Sequence, residues 1–253
     1  MEREQLSIGT VISRVVSIYA SQATAWIPVS ACLIGLPAIL LVLGARAGGI
    51  VFPITIIVWG VATLVFTGSV VELVAAEHEG RGKPDAAALV RSVIPVLGSL
   101  ILVSIVAWIA IAIGLFLVIV PGLILLTIWA VFVPIVVLDN PGELKALSAS
   151  REMVRGNGWQ VFGALLVLTV FVAVVQQLVL RLIESGSLAT GIVVLVVVSM
   201  LLAPFSGLAA SVIYFELKRL GGPRGGLEPF EPVALPPAGI HEEPEPGPSD
   251  TDY

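Results

Sequence analysis

The stretch that decides the fold runs from Ser92 to Leu138, SVIPVLGSLILVSIVAWIAIAIGLFLVIVPGLILLTIWAVFVPIVVL, and contains no Asp, Glu, Lys, Arg or His. At about 1.5 Å of rise per residue, one helix of that length would exceed a hydrocarbon core of about 30 Å more than twofold. The run therefore folds back on itself as two membrane-spanning helices. Gly114 to Gly122 is the expected turn, with Pro121 placed to open the second helix. Asp139-Asn140-Pro141-Gly142 then stops the span. A charged helix follows through Lys145, Arg151, Glu152 and Arg155, and Gly156-Asn157-Gly158-Trp159 leads into the next apolar run.

The composition agrees with that reading. The 253 residues are 57% hydrophobic and 12% charged. A soluble domain carries about 25% charged residues, so lipid rather than water is the main solvent here. The net charge of -5 misleads, because Glu228, Glu231, Glu242, Glu243, Glu245, Asp250 and Asp252 all sit near the end of the chain. Without them the body is nearly neutral and offers no dispersed basic surface for nucleic acid. The single cysteine, Cys32, lies in an apolar run and cannot form an intramolecular disulfide. Met1-Glu2-Arg3-Glu4 is not a basic n-region, so no cleaved signal peptide is expected.

Taken in order, the chain divides into three parts. Residues 1–24 carry an amphipathic helix: Ile8, Val11, Ile12, Val15, Ile18 and Tyr19 share one face, and Thr10, Ser13, Arg14, Ser17 and Ser21 the other. That pattern suits a helix lying in the membrane interface, and equally one packed on the protein's own rim. Residues 25–220 form a six-helix transmembrane domain. Its first two spans are expected at Ala25 to Gly44 and Ile50 to Ala75, the third and fourth in the uncharged run, and the last two at Trp159 to Ile183 and Leu188 to Phe215. Residues 221–253 are rich in Pro, Gly and Glu and read as a disordered acidic tail.

Six spans put both ends of the chain on one side. Arg3, Arg14, Arg81, Lys83, Arg91, Lys145, Arg151, Arg155, Lys218, Arg219 and Arg224 flank that side, against Arg46 and Arg181 on the other. The positive-inside rule places both termini in the cytoplasm of a cell bounded by this plasma or inner membrane. A weak repeat is also visible: Ser13-Arg14, Arg91-Ser92 and Ser150-Arg151 each end a short helix ahead of a hairpin of spans. The expected architecture is therefore an all-α membrane protein built as three units of interfacial helix plus hairpin.

Candidate chemistry is sparse. Glu72 is the carboxylate inside an apolar span, near its charged end and close to Glu77, where it can reach headgroups and water. Gln176 and Gln177, read as lying near the middle of the fifth span, are expected to tie helices together. Glu72, Gln176 and Gln177 make up the candidate intramembrane polar site. Arg151, Arg155 and Trp159 are the candidate contact for lipid headgroups: arginine pairs with phosphate, and tryptophan prefers headgroup level. With His78 and His241 as its only histidines, the chain has no visible zinc or triad constellation. Gly80-Arg81-Gly82-Lys83 is too short for a phosphate loop. No cofactor, metal or catalytic residue is assigned. Pro53, Pro95, Pro121, Pro134 and Pro204 recur in or beside spans and are read as tolerated kinks.

One resemblance covers most of the body. Val120-Pro121-Gly122-Leu123, Trp129, Phe132, Pro134 and Val137-Leu138-Asp139 are followed by Ala146-Leu147, Ser150, Met153-Val154-Arg155-Gly156 and Trp159. Together with Leu6-Ser7-Ile8-Gly9 and Tyr214-Phe215-Glu216-Leu217-Lys218, this resembles the membrane domain associated with glycerophosphoryl diester phosphodiesterases and related uncharacterised prokaryotic proteins. The resemblance implies six spans and no activity of the domain itself, since the catalytic domain of such enzymes is a separate soluble one. The His-Arg-Gly pattern it implies for that domain is not met by His78-Glu79-Gly80. The expected role is a non-catalytic accessory or organising membrane protein. Its expected partners are membrane lipids, with a protein partner or a second copy as further candidates, and no nucleic acid. The rivals are a transporter or channel for a solute and a membrane-embedded enzyme of lipid metabolism.

Overall fold

The computed structural model describes residues 7–82, 84–142, 144–184 and 188–220. The acidic tail, Arg3, Lys83, Arg224 and the Ser185-Gly186-Ser187 connection lie outside the described residues. Among those described, every regular element is helical. Six stretches are long and apolar enough to cross a membrane: Ala23–Ala47, Val51–His78, Ala86–Leu117, Ile119–Asp139, Gly158–Val179 and Gly191–Arg219. The chain is an all-α membrane protein with six transmembrane helices.

Each pair of spans closes into a hairpin with a short helix ahead of it. Helix α1 (Ile8–Ser21) precedes α2 (Ala23–Ser30), α3 (Leu36–Ala47) and α4 (Val51–His78). Helix α5 (Ala86–Val93) turns through Pro95 into α6 (Leu97–Leu117), which pairs with α7 (Ile119–Ile128) and the short α8 (Phe132–Pro134). Helix α9 (Lys145–Val154) precedes α10 (Gly158–Glu184), α11 (Leu188–Leu202) and α12 (Pro204–Arg219). Val11, Val15 and Ile18 of α1 are buried while Ser13, Arg14 and Ser17 are exposed. The inward face packs on α12 and α10, so the protein's own rim covers it.

The turn in the uncharged run is tighter than its sequence implies. Val118 alone, in extended backbone, separates α6 from α7, and Pro121 falls within the first turn of α7 without being its first residue. Proline costs nothing there, because the first amides of a helix have no acceptor in it. Close approach of two glycines makes the turn. A Cβ on Gly114 would lie 3.0 Å from the Gly122 Cα, and one on Gly122 would lie 2.6 Å from the Leu115 backbone nitrogen. The tip itself is all apolar and open, with Phe116 91% exposed.

Prolines interrupt the spans in two ways. In the first span the Leu36 amide reaches five residues back to the Ala31 carbonyl, and Pro37 follows. The same widened turn closes the fourth span, where the Asn140 amide donates to Ile135 at 3.0 Å just before Pro141. At Pro37, where the helix continues, a proline offers no N–H and crowds the carbonyl four residues earlier, so widening the register by one residue relieves the clash. Asn140, at φ 39°, instead ends the helix before Pro141. Pro134 does more, because α7 stops at Ile128 and the chain re-enters helix only at Phe132. The Phe132 amide turns to the Trp129 carbonyl at 3.3 Å, and the Ile128 carbonyl accepts instead from the Ser150 hydroxyl at 2.9 Å. In the sixth span, beside Pro204, the Leu201 carbonyl accepts the Tyr19 hydroxyl at 3.1 Å. Both disrupted spans are thus served by hydroxyls from the short helices α9 and α1, as a backbone in hydrocarbon requires.

Candidate functional site

The hairpins bring the ends of α1, α4, the fourth span and α12 to one end of the bundle, and most of the charges among the described residues gather there. Glu216 on α12 is buried, with a side chain only 5% exposed, and is held between Arg14 of α1 and Arg219 one turn on, the latter at 3.1 Å. Tyr214, fully buried, donates its phenol to Asp139 at 2.7 Å, and the Lys218 ammonium donates to the Tyr214 oxygen at 3.0 Å while facing Asp139 at 3.5 Å. Gln22 donates to Glu77 at 3.2 Å, and His78 stacks on Phe215 with ring centres 4.5 Å apart. This network ties four segments of the chain together through α12. Sequence reading assigned no role to Glu216 or Tyr214. The signal was a carboxylate three residues ahead of Arg219 in an otherwise apolar helix.

Glu72 lies where the sequence places it, toward the charged end of α4, and it has a protein partner rather than water alone. Arg81, from the connection after α4, reaches back to it at 3.1 Å and also bonds Glu79. The Glu72 bond is the leading cause that raises the affinity of the Arg81 guanidinium for its proton. The pair closes the turn between α4 and α5.

Gln176 and Gln177 are not the interhelical ties expected of them. Both are exposed, and neither hydrogen-bonds to any described residue. They lie past the middle of α10, which runs Gly158–Glu184, and about one turn before Arg181. They do not join Glu72, which belongs to the opposite end of the bundle.

Arg151, Arg155 and Trp159 follow one another along the chain at the junction of α9 and α10. Arg151 and Arg155 are exposed at the end of α9, and Trp159, 84% exposed, opens α10. Neither arginine joins an ion pair with any described residue. Beside them a groove of about 690 Å³ runs between α7 and α10. Val120, Leu123, Ile124, Thr127 and Ile128 form one wall, and Gly156, Gly158, Trp159, Gln160 and Phe162 the other. Thr127 donates to the Leu123 carbonyl at 2.8 Å, which leaves its wall apolar in effect.

A second, more polar hollow of about 370 Å³ lies at the charged end, lined by Arg14, Ser17, Glu77, His78 and Phe215 among others. Its charged groups are those already bonded within the network. Among the described residues no three of His, Cys, Asp or Glu come together as a metal site would need. Among the described residues two buried side-chain oxygens lack a partner, Gln22 Oε1 and, within α6, Ser104 Oγ. No family model, no curated protein and no solved structure matches the chain.

Proposed function

We propose that this is a multi-pass protein of the plasma or inner membrane, with both termini cytoplasmic, which acts without catalysis as an accessory or organising component through its contacts with lipid. The observation that carries the reading is a division among the cations of the charged end. Arg14, Arg81, Lys218 and Arg219 are each tied to a carboxylate of the protein. Arg151 and Arg155 are exposed beside Trp159 and an apolar groove, the combination that headgroups and chains of lipid would meet. The excess of Lys and Arg at that end supports its cytoplasmic orientation. The resemblance to the membrane domain associated with glycerophosphoryl diester phosphodiesterases fits the same reading and lends no activity to the chain.

A second reading, a transporter, draws on the interrupted spans, since broken helices frame substrate sites in many transporters. In this chain the interruptions are filled by Ser150 and Tyr19, which favours a structural role for them. Purified protein in sealed liposomes separates the readings. The accessory role expects neither release of glycerol phosphate from glycerophosphodiesters nor solute flux. Turnover lost in Glu72→Gln, or flux lost in Gln176→Leu, would replace it with an enzyme or a transporter.

A further inference from the structure

The groove between α7 and α10 runs from apolar side chains of α7 to the junction of α9 with α10. Its deep part is formed by Val120, Leu123 and Ile124, all side chains that a bilayer's interior would bathe. Its other end is formed by Gly156, Gly158 and Trp159, at the junction where α9 hands over to α10. Gly156 has φ of 97°, a left-handed conformation, and neither glycine carries a side chain to narrow the opening. Arg155 immediately precedes that opening, and Arg151 stands one turn earlier on α9. Glu152 between them leaves the segment net positive, with Lys145 at its start. The groove is lined by apolar side chains apart from Thr127 and Gln160, and such a surface holds water poorly, because water needs two or more polar partners. Its volume lies in the range of about 300–1,000 Å³ usual for small-ligand sites.

Resting on the reading of the chain as a lipid-contacting membrane protein, we propose that this groove binds one anionic phospholipid. One acyl chain lies along Val120, Leu123 and Ile124, and the phosphate meets Arg155 and Arg151 at the mouth. The charge argument selects the lipid class. Neither guanidinium pairs with a carboxylate of the described residues, and a guanidinium pairs with phosphate through two parallel hydrogen bonds. A zwitterionic lipid brings its own cation to the same place and loses part of that attraction. The apolar wall selects a lipid over a free phosphate, since a water-soluble anion leaves the groove unfilled. The first turn of α10 adds the positive end of a helix dipole near the mouth.

The test uses the full chain purified in mild detergent, with retained lipid counted by native mass spectrometry. Dioleoyl phosphatidylglycerol, dioleoyl phosphatidylcholine and glycerol phosphate serve as probes. One phosphatidylglycerol per chain is expected to persist, in preference to phosphatidylcholine, and excess glycerol phosphate should not displace it. Arg155→Ala should weaken retention about fivefold and Arg151→Ala by a similar factor, the worth of one cation near an anionic lipid surface. Ile124→Trp, or Val120→Trp should the first variant misfold, fills the groove and should abolish retention with the thermal transition unchanged. Equal retention of the two lipids would overturn the proposal, as would retention unaffected by both tryptophan variants, or displacement by glycerol phosphate. A dimer that the tryptophan variants convert to monomer would give the groove to a second copy instead. Each of these failures leaves the accessory reading intact, because that reading fails through turnover or flux and not through lipid selectivity.

Discussion

The Ser150 hydroxyl donates to the Ile128 carbonyl across 2.9 Å, so a side chain of α9 completes the hydrogen bonding of a span to which it does not belong. Ser150 is fully buried. Replacing it with alanine leaves the carbonyl unpaired in an apolar setting, which costs about 1–3 kcal/mol. Ser150→Ala should lower the thermal midpoint in detergent accordingly. An unchanged midpoint would mean that the break at Trp129 to Val131 is satisfied in some other way.

The glycine contact at the tip of the second hairpin makes a sharper prediction. Gly122→Ala places a Cβ against the Leu115 backbone, which cannot swing aside as a side chain would. Overpacking of this kind costs about 1–3 kcal/mol. Gly98→Ala, where a Cβ meets nothing within 4 Å, is the matched control. Equal stability of the two variants would show that α6 and α7 do not approach as closely as Gly114 and Gly122 indicate.

Glu216 is buried, but its partners are not: the Arg14 and Arg219 side chains are 46% and 60% exposed. When the carboxylate is neutralised, both arginines can recover water, so Glu216→Gln should cost about 1–2 kcal/mol rather than the full price of a buried pair. The loss should shrink as salt is raised, because the arginine ends of the pairs are screened. A loss that does not depend on salt would assign Glu216 a packing role instead.

Two tryptophans near the charged end should respond in opposite ways. Trp26 is 2% exposed, donates its indole N–H to the Tyr19 carbonyl at 3.0 Å and lies 4.6 Å from the Tyr19 ring. Trp26→Ala should cost about 3–5 kcal/mol. Trp159→Ala, removing a side chain that is 84% exposed, should change stability by less than about 0.5 kcal/mol. Chemical denaturation of both variants in one detergent decides it, and comparable losses would mean that Trp159 is covered in the native protein.

The sequence carries the architecture more plainly than the polar contacts. An uncharged run too long for one crossing forces a hairpin, and the structure places the turn within the expected Gly114 to Gly122. Glu72 was legible because a carboxylate stands out in an apolar span. Its partner Arg81 was not, since the pairing depends on how the connection after α4 folds back. The exposure of Gln176 and Gln177 was not legible, because an amide's depth along a span says nothing of whether its face of the helix meets a neighbour. Ser150 could be singled out by its setting in Ala146-Leu147 to Arg155-Gly156, but its acceptor could not. That acceptor exists only because Pro134 breaks a different helix.

The position of α12 in the chain gives the rim network an order in time. Arg14 and Asp139 belong to segments that a ribosome completes well before Tyr214, Glu216 and Lys218 emerge. Through most of biosynthesis, then, Arg14 of the first short helix and Asp139 at the end of the fourth span await the partners that α12 brings. The arrival of one sixteen-residue helix supplies both at once. Insertion of the earlier hairpins can proceed one after another, since each pair closes locally, but the rim locks only when α12 docks. A ribosome stalled before Pro204 should therefore hold spans that are already in the membrane and an α1 that lacks its partner α12.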